Sequence, residues 1–369
     1  MSAFSWRRTT LGLLVAAPLM AFVLYRTNLR KTVEALAEAN YALILAALVL
    51  FSLAVWLQAV RWRFLLKPLV DVPAHRLYPV VLIGHLGNSL LPLRGGEILR
   101  AVVLGQRESV SRMATLGTVA VERVLDGLML VALLLIFVVF RDTSEILREL
   151  VLGTGLLFGF ATVVLIALAI SEERSLRLAE AAIARAPKRW HENLQEWVAS
   201  FLTGTRALRT LNGVGGVVIT TAGFWAAVAF IFFIVGRAFD IQEGFGTYLL
   251  LTAASNLSLS IPVSQGGLGP FEFAVRQTLI FSGVASPLAT AYALTVHAVF
   301  LIPMITLGLI SLWLVGPSLK VINRPTTAGQ EAEDKERPLA TQLRSHQEHL
   351  PAKEQMKRGQ AQIQPEKEP

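Results

Sequence analysis

The chain contains no cysteine and little charge. Without cysteine there is no disulfide framework, no thiolate nucleophile and no Cys-type zinc site, and the redox state of the compartment leaves no mark. Charged residues make up 16% of the 369 positions, against about 25% in a soluble domain. Signatures of several common chemistries are missing too. No P-loop is present, which argues against a primary ATP-driven pump. Gly267-Leu268-Gly269 lacks the third glycine and the preceding strand of a dinucleotide site. His191-Glu192-Asn193-Leu194-Gln195 has glutamine where the zinc-protease pattern needs its second histidine. No metal site and no cofactor are expected, and the basic excess is not gathered as a nucleic-acid binder would gather it.

What is abundant is apolar sequence: 54% of residues are hydrophobic and the mean hydropathy is +0.56. A spanning helix needs about 20 mostly apolar residues. Candidate spans are Thr10 to Tyr25, Tyr41 to Val60, Leu125 to Phe140 with a polar lead-in from Thr115, Val151 to Ile170, Gly213 to Val235 and Leu288 to Val315. Leu77 to Pro92 and Gly246 to Pro262 are shorter, and each is followed by a glycine-rich break and another short helix. The expected fold is all-α: a polytopic transmembrane helix bundle with six to eight crossings and two broken or re-entrant hairpins in pseudo-symmetric positions. Its transmembrane domain covers residues 1–316. The opening Ser5-Trp6-Arg7-Arg8 reads as a signal anchor, with a twin-arginine export signal as the competing reading.

Lysine and arginine in the loops orient the bundle. With the N-terminus cytoplasmic and the first hairpin returning to its own side, inside loops carry seventeen basic residues and outside loops six. That count includes Arg61 among four basic residues of a loop over 61–76. Forcing Leu77 to Pro92 to span would put the seven-residue cluster from Arg174 to Arg209 outside. Both termini are therefore expected in the cytoplasm. The connection 171–212 carries Trp190, Leu194, Trp197 and Phe201 at helical spacing. It reads as a helix lying on the membrane surface, or as a small soluble subdomain. Residues 317–369 hold nine basic and eight acidic residues and no aromatic, so a disordered charged tail is expected.

The two short segments share a layout. The first runs Asn88, Pro92, Arg94, Gly95, Gly96, Glu97 and Arg100; the second runs Asn256, Pro262, Gln265, Gly266, Gly267, Glu272 and Arg276. In each, an asparagine in an apolar helix precedes a proline, a Gly-Gly pair, a glutamate and an arginine. Pro and Gly-Gly leave backbone groups without helical partners, and lipid tolerates these only beside protein or a water-filled cavity. Matching breaks in two halves point to a transporter site at mid-membrane, and restarting helices would aim positive dipole ends at a phosphate. Ionisable residues at membrane depth carry a functional expectation by default. Glu122 and Asp126 share a helix face, with Arg123 beside them. Either Arg94 and Arg100 compensate their charge, or one carboxylate stays protonated. Glu272 and Arg276 are four apart and either pair with each other or contact ligand. His85 and His297 are expected to hydrogen-bond between helices, with a proton relay as the alternative.

Three stretches in order carry a resemblance: Leu91 through Arg100, Val121-Glu122-Arg123-Val124-Leu125-Asp126-Gly127, and Pro262 through Glu272. On them the chain resembles the lysylphosphatidylglycerol synthase transmembrane-region (flippase-like domain) family, over about residues 10 to 316. The family implies a multi-pass inner-membrane protein. In its best-known member, the multiple peptide resistance factor, this region moves an aminoacylated phospholipid between leaflets, and a separate soluble domain attaches the amino acid. About fifty residues follow Val315 here, too few for that synthase domain, so synthase activity is not expected. Some relatives are fused to or encoded beside glycosyltransferases, which adds polyprenyl-phosphate glycolipids to the implied cargoes.

The expected function is lipid flipping. Arg94, Arg100, Arg123 and Arg276 would meet the lipid phosphate. Glu97, Glu122, Asp126 and Glu272 would hold those arginines or a cationic headgroup, and Asn88, Gly95, Gly96, Asn256, Gln265, Gly266 and Gly267 would shape the site. The expected partners are membrane lipids: an anionic or aminoacylated phospholipid, or a polyprenyl-phosphate glycolipid. The alternatives are a non-transporting accessory subunit of a membrane-associated glycosyltransferase or lipid-modifying enzyme, and an integral-membrane transferase with Glu122 or Asp126 as base.

Overall fold

The structure, a computed structural model, describes residues 28–91, 95–140, 191–204, 211–260 and 265–315, with 149, 153, 155–160, 163, 164, 183, 184 and 206. The first expected span, about half of the fourth, the tail, and Pro92, Arg94 and Pro262 lie outside the described residues. Among the described residues there are helices and no strand. In chain order the helices are α1 (Leu29–Glu38), α2 (Tyr41–Leu66), α3 (Ala74–Leu90), α4 (Gly96–Glu108), α5 (Arg112–Phe140), α6 (His191–Gly204), α7 (Leu211–Ala238), α8 (Phe245–Ser260), α9 (Pro270–Phe281) and α10 (Ser286–Val315). A short 3-10 turn at Gln265–Gly267 precedes α9.

Among the described residues, three helices are long and apolar enough to cross a membrane: Tyr41–Leu66, Gly213–Ala238 and Ser286–Val315. α2 and α7 form an antiparallel pair. Asn40, whose side chain caps α2 at Ala42 N and Leu43 N, donates its own N–H to Ala238 O at 2.8 Å. At the other end Gly216 lies against the Phe64 ring, so close that a Cβ there would come within 2.6 Å of it. α10 lies alongside, held by Tyr292 Oη donating to Phe232 O at 2.8 Å. Gly308 of α10 packs on Leu82 and Leu86 of α3.

The two short pairs sit between these helices. α3 starts where α2 ends, after the connection 67–73, and α4 runs back beside it. Gly84, Gly87 and Gly96 let the pair close: a Cβ on Gly96 would fall 1.9 Å from Gly84 O. The Gly96 N–H, left without a helical partner at the start of α4, donates to Asn88 Oδ1 at 3.0 Å. α8 starts at the opposite end of the bundle, following α7, and α9 returns to that end to feed α10. Its turn depends on Gly266, Gly267 and Gly269, with φ of 64°, 76° and 91°, in the left-handed region that side chains disfavour. Pro270 then opens α9 at its first position and Glu272 Oε2 accepts the Gly269 N–H at 2.8 Å, a sound helix start. The two turns meet: a Cβ on Gly266 would lie 3.7 Å from Ser89 O.

Two boundaries differ from the sequence expectation. The segment expected to end at Val60 continues as α2 to Leu66, so Arg61 is a helix residue with no exposed surface rather than a loop charge. The polar lead-in before Leu125 is part of one helix from Arg112. In the 171–212 connection, α6 packs along α5 and buries Leu202; the rest of that segment is mostly outside the described residues.

Candidate functional site

Arg61 lies at the centre of a buried ionic cluster. Its Nη1 donates to Asp126 Oδ1 at 2.6 Å and its Nη2 to Glu122 Oε1. Arg61 and Glu122 are fully buried and Asp126 is 7% exposed. Arg100, also buried, places Nη2 2.8 Å from Glu122 Oε2, and its guanidinium lies 3.6 Å from the centre of the Trp62 ring. Trp62 in turn donates to Thr118 Oγ1 at 3.0 Å. Gln58, one turn before Arg61, donates to Glu122 at 2.9 Å, and Trp225 of α7 donates to Asp126 at 3.0 Å. Arg123 closes the cluster, 3.0 Å from Asp126 Oδ2 and 3.7 Å from Glu97 Oε1. Three arginines thus balance three carboxylates, tying α2, α4 and α5 together, with α7 bound through Trp225.

Isolated buried charges of this kind cost several kcal/mol each. Here each carboxylate faces at least one arginine, so compensation comes from arginine. Arg100 supplies it as expected. Arg61 does so unexpectedly, with neutral hydrogen bonds to the carboxylates from Gln58 and Trp225 and Trp62 stacked on Arg100. Gln58 and Arg61 are three apart where α2 leaves its long apolar run, a signal that the loop reading of Arg61 obscures.

Beside the cluster lies a cavity of about 160 Å³. Its walls come from the central turns of the three membrane-length helices: 51–58 of α2, 224–228 of α7 and 297–304 of α10. Its lining is mixed: Gln58, His85, Ser89, Arg123, Asp126 and Asn256 are polar, and Phe51, Phe224, Phe271, Phe300, Leu301 and Met304 are aromatic or aliphatic. Arg123, whose side chain is 35% exposed, is the arginine among the described residues that reaches this space.

The expected site residues divide accordingly. Glu97, Arg100, Glu122, Arg123 and Asp126 converge on the cluster. Arg123, Asp126, Asn256 and Gly266 line the cavity. Asn88, Gly95 and Gly96 build the start of α4, and Gly267 packs on Leu259. Glu272 and Arg276 turn to different neighbours. Glu272 accepts from Gly269 N and meets His297, whereas Arg276 donates to Thr290, Gln277 and Ser286 at 2.7–3.0 Å. His85 and His297 do bond between helices, His85 to Gln58 at 2.7 Å and His297 to Glu272 at 2.6 Å. Arg94 and the Gln265 side chain lie outside the described residues.

Long apolar helices wrapped around a balanced ionic cluster and a half-polar cavity define a helical membrane protein. More narrowly, the chain belongs to the lysylphosphatidylglycerol synthase TM region family, which matches residues 9–308. It is 25% identical to Glycosyltransferase AglD of Haloferax volcanii, covering 90% of this chain and 58% of that protein. It is 24% identical to a UPF0104 membrane protein of Methanothermobacter thermautotrophicus, covering 76% of this chain and 85% of the relative. A further UPF0104 membrane protein, MJ1078 of Methanocaldococcus jannaschii, is 24% identical over 62% of this chain and 93% of its own length. No solved structure matches.

Proposed function

We propose that this protein moves a phospholipid or a polyprenyl-phosphate-linked lipid between the leaflets of a cell inner membrane. In this reading α3–α4 and α8–α9 are re-entrant hairpins entering from opposite faces, in a bundle of six to eight crossings with both termini cytoplasmic. The observation that carries the reading is the cavity at mid-length of three membrane-length helices, lined by both polar and apolar side chains. A headgroup would take the polar groups and acyl or prenyl chains the apolar ones. Arg123 would meet the phosphate, with Arg94 as the second cation. Arg100 would hold Glu122 in place, given its burial and its stacking on Trp62.

The test uses purified protein in phosphatidylcholine vesicles carrying fluorescent phosphatidylglycerol, with lipid transfer read by quenching from outside. The native protein should accelerate transfer. Arg123→Ala should slow it about tenfold, the weight of one charge-assisted hydrogen bond, compared at a temperature where the melting profile of each protein shows it folded. Equal transfer by native protein, Arg123→Ala and empty vesicles would sink the reading. A second reading is favoured by the AglD relative, whose name is that of a glycosyltransferase and of which the chain spans 58%. There the protein serves a glycosyltransferase as its membrane partner without moving lipid, and copurification with such an enzyme, in the absence of lipid transfer, would select it.

A further inference from the structure

His297 stands on α10 with both ring nitrogens against oxygen atoms. Nδ1 lies 2.6 Å from Glu272 Oε1 and Nε2 lies 3.0 Å from Gly266 O. The imidazole is 5% exposed and Glu272 2%, and the Phe271 ring packs 4.4 Å from the imidazole centre. The pair is thus nearly closed off, with His297 meeting open space only at the cavity it lines.

A neutral imidazole has one N–H and one lone pair. The Gly266 carbonyl can only accept, so Nε2 must carry a hydrogen. The carboxyl group then either accepts from a second N–H on Nδ1 or gives its own proton to a bare Nδ1. Both descriptions contain the same number of protons, one more than a neutral imidazole beside an ionised carboxylate. If that proton leaves, the remaining N–H is drawn to the carboxylate, because a charged acceptor holds it more strongly than a carbonyl. The Nε2 lone pair then faces the Gly266 carbonyl, and that contact turns from attraction to repulsion.

Gly266 lines the cavity and lies at the meeting of the two broken helices, near Ser89 O. Other titratable groups around the pair are accounted for. On α9 Arg276 is turned towards Thr290 and Ser286. On α3 His85 bonds Gln58, and across the cavity on α5 Arg123 and Asp126 pair with each other. The cavity-facing residues of α2, α7 and α8 are not titratable.

We propose that Glu272 and His297 form a proton-binding site that latches the Gln265–Gly267 turn to α10, so that gain or loss of one proton closes or frees the turn beside the cavity. This goes beyond lipid transport and does not depend on it.

The experiment is hydrogen exchange on the full-length protein in phosphatidylcholine nanodiscs from pH 5.5 to 9, with each rate normalised to its intrinsic chemical rate. Amides of 266–272 should lose about tenfold in protection as pH rises, the scale of one lost buried hydrogen bond, while amides of α2 stay constant. Glu272→Gln and His297→Gln should each flatten the profile. Constant native protection across this range overturns the latch, as does an unaltered profile in both variants. No cargo enters the measurement, so its failure and a failure of lipid transfer are separate results.

Discussion

Arg61 shows what a single residue does in this interior. It holds two carboxylates at once, and nothing else among the described residues contacts Glu122 and Asp126 from α2 with a charge. Removing one member of a buried ion group leaves the others uncompensated, at about 3–5 kcal/mol. Arg61→Met should therefore destabilise the protein by about that amount in detergent unfolding titrations. Arg61→Lys should rescue little, since an ammonium cannot make the forked contact to both acids. Parity between Arg61→Met and the native protein would mean that Arg100 and Arg123 suffice. The residue was hard to read from sequence because its role depends on α2 running one and a half turns beyond the apolar stretch. Glu122, Arg123 and Asp126 were legible, since three charges inside a membrane-length run demand partners.

For the elements, the breaks were legible and their purpose less so. Proline and glycine pairs marked where α3 and α8 stop, and the four short helices follow. Spacing alone does not separate a glycine needed for its backbone angle from one needed for lack of a side chain. Gly266 and Gly267 belong to the first kind, with left-handed φ, and Gly96 to the second, with backbone pressed against it. Gly96→Ala should drive α4 off α3 and cost about 1–3 kcal/mol, as overpacking does. Gly215→Ala, on a face of α7 where an added Cβ meets nothing within 4 Å, should be neutral or stabilising by up to about 1 kcal/mol. Thermal unfolding of the two variants side by side distinguishes them; equal melting temperatures would contradict the close α3–α4 contact.

For the whole molecule, the two hairpins start from opposite ends of the bundle, a layout that hydropathy leaves open because each pair begins and ends at one side. The chain's freedom from cysteine makes this testable without background. Ser109→Cys, just past α4, and Ala285→Cys, just past α9, should be labelled by a membrane-impermeant maleimide from opposite faces, Ser109→Cys from the cytoplasm. Labelling of both from one face would refute the opposed entry. The joint at Asp126 has a mechanical corollary. One carboxylate fastens Arg61 of α2, Arg123 of its own helix and Trp225 of α7. In the lipid-moving reading an anion in the hollow would draw Arg123 away from that carboxylate and leave Asp126 to Arg61 and Trp225 alone, so occupancy would be felt at the joint between two membrane-length helices.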